Sequence, residues 1–549
     1  MKPTRRAVGL GALAAAAAAA SGGGRARGAA TGAPAGYGVS GKNGPFVKQV
    51  AGRANLGGGG GGGGSMGLTD VVSLGRYQTA RIRMPQTEAK VAALLAKLDT
   101  QWPYAKGQTL QVHILGVDYY NAYSLPDGSI VVAFGLLDQA QSDDEVAFVL
   151  AHELGHVRLG HFAPKAAAPE RSRQEMASKM GALFLTSAAI SAAGASGSGV
   201  LAAAAQAGAT NDLIHFMSNV MIEPDHTREQ EDEADCIGYD LSERASYSAD
   251  SASAKVFDTI VADQQRHQQM IDTLGTQLKN QLGNALKNGS AVSMVMGGAS
   301  GLRSGLMENG AQLAFNVAMA HANQPPPQHR PPAERKRGLS EYSALAYPDG
   351  APLRDEQQSW LTAVRAAPEY VAAKEAVGAV SDAKRARSAG KYADAQAAIQ
   401  KALATKFGTS PLVLNEAARL HDDMGDLPGA ERFFERANAS ADQTVEGYVD
   451  HARMLFRVKQ NDRAMAVAKA GIARFDNDDK PFIALQIAIA KQAGNQGEAD
   501  GYYQQCIGYN RPGLTKDCDL AAGKKEGSGA QQTKGSSMPH IPFGIPHFP

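Results

Sequence analysis

The chain has 549 residues, enough for two or three domains with substantial cores. Its 55 basic and 54 acidic residues leave a formal charge of +1, which excludes the basic field that steers proteins to nucleic acid or anionic membranes. Three cysteines are too few for a disulfide-built scaffold.

The first segment, "MKPTRRAVGLGALAAAAAAAS", sets Lys2, Arg5 and Arg6 before an apolar run from Ala7 to Ala20. Small residues follow, with candidate cleavage points after Ala30 or Ala35. Residues 1–35 therefore read as an export signal, and the expected compartment is the bacterial periplasm. "TRRAV" loosely matches a twin-arginine signal, so both export routes stay open. The run is too short and alanine-rich for a membrane anchor. Residues 36–67 are rich in Gly, with glycine at every position from Gly57 to Gly64. Such a stretch buries too little apolar surface to order itself and reads as a linker.

A folded part is expected over 68–340, mainly helical with a small sheet. "VAALLAKLD" (91–99) has helical spacing, while "QVHILGV" (111–117) and "SIVVAFG" (129–135) read as strands beside a turn at "LPDG". "SDDE" (142–145) is a capping box that opens a helix, with Val146, Val149 and Leu150 forming its seating face. From Met180 to Asn211 no residue is charged, yet alanine is the commonest residue and "GASGSG" interrupts the run. A buried or surface-hugging hairpin is preferred there to a membrane span. "NQPPPQHRPP" (323–332) marks a boundary.

Beyond about 355 four segments align without gaps: "AGKYADAQAAIQKAL", "MGDLPGAERFFERAN", "VKQNDRAMAVAKAGI" and "AGNQGEADGYYQQCI". Ala395, Ala430, Ala464 and Ala499 occupy one column; Ala402, Ala437, Gly471 and Cys506 occupy another. A period near 34 with small residues where helices touch resembles tetratricopeptide repeats, expected over 355–515. Residues 522–549 read as a disordered tail. Cys506 and Cys518 either form a disulfide or remain packed thiols; Cys236 reads as a core residue.

The chemistry lies in "DDEVAFVLAHELGHVRLGH" (143–161). His152 and His156 are one helical turn apart, so both imidazoles can reach one ion. Glu153, about 100° around the helix, is placed to take a proton from water beside that ion. His161, nine residues beyond His152, would sit about 180° away on a continuing helix and is not expected to bind the same ion. A third ligand is sought in "HTREQEDEADCIGYDL" (226–241). An acidic run usually means a solvated face, but the sequence turns apolar directly afterwards. That favours Glu231 as an inward ligand, with Asp235 orienting a ligand histidine.

These motifs resemble the zinc metallopeptidase family of the HtpX, CAAX prenyl protease and Oma type, over roughly 85–340. HExxH is followed by E-x-x-A-D at Glu231–Asp235, preceded by Thr227 and Arg228. "NAYSLPDGSIVVAFGLL" and "HRPPAERKRGL" are similar to flanking family motifs, though Arg330 is inserted after His329. The metzincin pattern does not fit, because Gly160 and His161 fall four and five residues after His156 rather than three and six. The resemblance implies a gluzincin-type endopeptidase with one Zn2+ per chain held by His152, His156 and Glu231, with Glu153 catalytic. "SIVVAFG" is either an edge strand that pairs with extended substrate or a core strand. Asn121 either meets that substrate or serves its turn; Arg228 and His329 are candidates for substrate contact or gating. A periplasmic member with C-terminal repeats resembles the subgroup that trims or helps assemble outer-membrane β-barrels. Expected partners are unfolded or misassembled envelope proteins and an assembly partner on the repeats, with membrane association peripheral at most. The alternatives are a repeat-based chaperone whose peptidase part is autoinhibited, and a membrane-embedded peptidase using 180–211.

Overall fold

The computed structural model describes residues 39–51, 81–161, 226–262, 265, 330–388, 390–475, 477–510 and 512–524, apart from 107–108, 126–127 and 353. The expected export signal, the glycine run, the uncharged 180–211 stretch, His329 and the tail from 525 lie outside the described residues. The described residues are mainly helical with one three-stranded sheet, as the motifs imply. No described helix is long and apolar enough to cross a membrane.

Helix α1 (Pro85–Asp99) opens on proline, which fits where no intrahelical N–H bond is needed, and buries Val91, Leu94, Leu95 and Leu98. Strands β1 (Gln111–Leu115), β2 (Ala122–Ser124) and β3 (Ser129–Ala133) follow in spatial order β1-β3-β2. β3 pairs parallel with β1 and antiparallel with β2, and every β3 residue is buried. "SIVVA" is therefore a central core strand. Its edge-strand reading is corrected, because both of its hydrogen-bonding sides are already occupied. Phe134 and Gly135 do not extend the strand but begin α2 (Phe134–Gln139).

Helix α3 (Asp143–Leu159) starts where the capping box places it. Ser142 Oγ accepts from Glu145 N (3.3 Å), and Glu145 Oε1 accepts from Gln141 N (3.0 Å). Gly160 ends the helix in the left-handed region (φ +65°), where a side chain would be strained. Helix α4 (Arg228–Arg244) opens with a reciprocal capping box between Thr227 and Gln230. α3 and α4 pack through facing glycines: a Cβ on Gly155 would meet Ile237 at 3.2 Å and Ala234 at 3.3 Å, and one on Gly238 would meet the His152 backbone at 3.1 Å. Helix α5 (Pro332–Ala346) lies against α4.

Residues 39–51 correct the linker assigned to 36–67. They form two 3-10 turns, Gly41–Asn43 and Phe46–Lys48. Val47 and Val50 are buried there; Val47 N donates to Asp240 (2.8 Å) and Phe46 N to the Tyr342 hydroxyl (2.6 Å). Burial of these apolar side chains offsets the ordering cost that a glycine run could not.

Helix α6 (Ser359–Arg365) leads into antiparallel helix pairs: α7 (Pro368–Ser388) with α8 (Tyr392–Ala404), α9 (Pro411–Asp423) with α10 (Leu427–Asn438), α11 (Val445–Arg457) with α12 (Asn461–Arg474), and α13 (Ile483–Gln492) with α14 (Gln496–Gly508). Both small-residue columns are buried between the helices. The turns share a left-handed position at Gly390, Gly425, Lys459 and Gly494. Helix α15 (Pro512–Ala522) closes the array, with Cys506 and Cys518 joined as a disulfide and Cys236 buried and free.

The repeats are tied to the catalytic part at the root of α3. Asp143 accepts from Trp360 N (2.9 Å) and Leu361 N (2.8 Å), while Asp144 accepts from Gln357 N and Ser248 N (both 2.7 Å). Further along, Arg83 pairs with Asp442, Lys374 with Asp138, and Phe134 stacks on Tyr370.

Candidate active site

The glycine contact sets α3 and α4 close enough for short side chains to meet. His152 Nε2 and His156 Nε2 are 3.2 Å apart; Glu231 Oε2 lies 3.4 Å from the first and Glu231 Oε1 3.5 Å from the second. Tetrahedral coordination with bonds of about 2.0–2.1 Å sets donors about 3.3–3.4 Å apart, so the triangle is the right size for one zinc ion. Two imidazoles and a carboxylate also suit zinc chemically. Glu153, the next residue on α3, is 8 % exposed.

His152 Nδ1 lies 2.9 Å from Asp235 Oδ1. Asp235 is in turn gripped by Arg335, with Nε 2.8 Å from Oδ2 and a terminal nitrogen 2.6 Å from Oδ1. Asp235 is therefore placed as expected, one helical turn beyond Glu231. Burial alone would raise its carboxyl, but Arg335 holds it well below the usual range. Burial also works against charge on His152, yet its bonds to Asp235 and Glu231 raise it to about 9. His156 is pushed down to about 3 by burial, only partly offset by Glu231.

His161 does not lie where a continuing helix would put it. Because α3 stops at Gly160, the chain turns back and His161 Nδ1 comes within 2.9 Å of His156 Nδ1. His226 stacks on the His156 ring, with centroids 3.7 Å apart and planes at 16°. Burial and the neighbouring His156 ring push His226 down to about 2. His156, His161 and His226 thus form a second close donor set.

Asn121 Oδ1 accepts from Ala122 N (2.9 Å), and its carbonyl accepts from Ala133 N at the end of β3 (3.0 Å). Arg228 is the exposed first residue of α4, one turn before Glu231. His329 is outside the described residues, but Arg330 beside it forms a two-pronged pair with Asp232 (2.9–3.0 Å). Sequence reasoning missed Arg335, His161, His226 and the two glycines. Arg335 is 100 residues from Asp235, so no local spacing announces the pair.

Two crossing helices that present a His-His-Glu triangle beside a second glutamate are the core of an HExxH metallopeptidase. Residues 85–322 match the family model described as Peptidase family M48, a stretch that includes both helices bearing the triangle. It is 26 % identical over 179 residues to the mitochondrial metalloendopeptidase OMA1 of Schizosaccharomyces pombe, covering 33 % of this chain and 44 % of that protein. It is 29 % identical over 135 residues to metalloprotease LoiP of Escherichia coli, covering 25 % and 45 %. It is 30 % identical over 156 residues to the beta-barrel assembly-enhancing protease of Yersinia pestis, covering 28 % and 29 %. The chain thus spans less than half the length of each of these relatives.

Proposed function

We propose that this protein is a zinc-dependent endopeptidase of the bacterial periplasm that cleaves unfolded or misassembled envelope proteins. The observation that carries the reading is the His152–His156–Glu231 triangle with Glu153 beside it. These three residues would hold the ion; when bound, zinc would polarise the scissile carbonyl and ease proton loss from water. Asp235 accepts the Nδ1 proton of His152 and keeps Nε2 bare on the ion side. Glu153 takes a proton from the attacking water and returns it to the leaving amine. The envelope setting is supported by the export-signal pattern and by the name of the beta-barrel assembly-enhancing relative. The tetratricopeptide-like helix pairs would present a surface to an assembly partner.

The test is metal analysis with digestion of casein, comparing wild type with Glu153→Gln. One zinc per chain is expected in both, with hydrolysis slowed about 10²–10⁴-fold in the variant. Equal digestion by the two removes Glu153 from the mechanism. Suppression of aggregation by both without digestion by either turns the reading to the chaperone.

A further inference from the structure

Each ligand imidazole turns Nε2 toward the triangle, so each carries its proton on Nδ1 and needs an acceptor there. His152 has Asp235. His156 has another imidazole, His161 Nδ1 at 2.9 Å, and His161 Nε2 lies 3.2 Å from Glu233 Oε2. A neutral imidazole accepts with one nitrogen and donates with the other, so one proton arrangement satisfies the whole chain from His156 through His161 to Glu233.

We propose that His161 is a positioning residue that passes the orienting charge of Glu233 to His156; this rests on the metallopeptidase reading above. The left-handed turn at Gly160 brings His161 back against its own helix, and the His226 ring stacked on His156 limits its rotation. His156, His161 and His226 are all buried. A second ion among these three rings would compete for the same nitrogens. It would take His156 Nδ1 while Nε2 also bound an ion, which a neutral imidazole cannot supply.

The test measures zinc affinity of the full chain by competition with a chromophoric chelator, alongside thermal unfolding of the metal-free form. His161→Leu is expected to bind zinc about 10- to 100-fold more weakly with little change in metal-free unfolding. His161→Gln, whose amide both accepts and donates, should recover most of that loss. Glu233→Leu should weaken zinc in the same direction with His161 intact. Wild-type affinity in His161→Leu overturns the relay, as does a His161→Gln no better than the leucine variant. Two zinc ions in wild type, one of them lost in His226→Leu, would also overturn it and mark a second metal site. A wild type that binds no zinc sinks the metallopeptidase reading itself, so the two failures are distinguishable.

Discussion

Arg335→Met removes the cation that grips a fully buried carboxylate while keeping an unbranched apolar stem in its place. The wild-type guanidinium makes two bonds to Asp235, of 2.8 and 2.6 Å, and lies 4.8 Å from the Phe257 ring centre. Breaking one partner of a buried ion pair costs about 3–5 kcal/mol, because the remaining charge loses its compensation without regaining water. For a domain of this size each kcal/mol shifts the melting temperature by about 2–4 °C, so a drop of about 6–20 °C is expected in metal-free protein. Zinc affinity should fall about 10- to 100-fold as well, since Asp235 no longer holds His152 in place. The double variant Arg335→Met/Asp235→Leu separates the two effects. Replacing both charges by apolar groups should restore most of the stability, yet zinc binding should stay weak because His152 has lost its acceptor. Calorimetry and chelator competition read these independently. A single variant that melts with wild type, or a double variant that binds zinc like wild type, refutes the reasoning.

Burial pushes the Asp240 carboxyl up from its usual 3.8 to about 6, despite bonds from Val47 N and the Tyr347 and Tyr342 hydroxyls. Because the folded value is the higher one, its contribution to stability is whole below about pH 4 and is lost as pH rises through about 6, roughly 3 kcal/mol in all. Melting across that range should show wild type losing this much relative to Asp240→Asn; a constant difference between the two refutes it. Lys459 holds φ +61° where the three matching turns have glycine, so Lys459→Gly should gain about 1 kcal/mol. That would be read as a higher denaturant midpoint at unchanged slope, and a lower midpoint counts against it. Gly238→Val should force α3 and α4 apart, costing about 1–3 kcal/mol and weakening zinc, because even a Cβ would crowd the His152 backbone. Retained zinc affinity would show that the glycine contact does not set the ligand triangle.

What the sequence made legible was local. The HExxH spacing, the capping box at Ser142 and the small-residue columns at Ala395 and Ala402 depend on neighbours within one or two helical turns, and each lies where the pattern puts it. One reading failed because the deciding contact was elsewhere, and another holds for a different reason. His161 stays out of the ligand triangle, but it does so with the helix stopped at Gly160 and its ring turned back against His156. Residues 39–51 looked like linker because their ordering partners, Asp240 and Tyr342, lie about 200 and 300 residues downstream on this chain.

The acidic run on α4 shows why local composition misleads. A stretch such as Glu231-Asp232-Glu233-Asp235 ordinarily faces water, but here each carboxylate meets a basic group: the His152–His156 pair, Arg330, His161 and Arg335 respectively. Glu231, Asp232 and Asp235 are all buried between helices, as is Glu153 on α3. Buried carboxylates draw in protons or cations. The raised His152 is the proton answer, since burial by itself would have lowered it. A divalent ion in the same triangle is the fuller answer: it brings two positive charges to Glu231 and releases His152 to act as a neutral ligand.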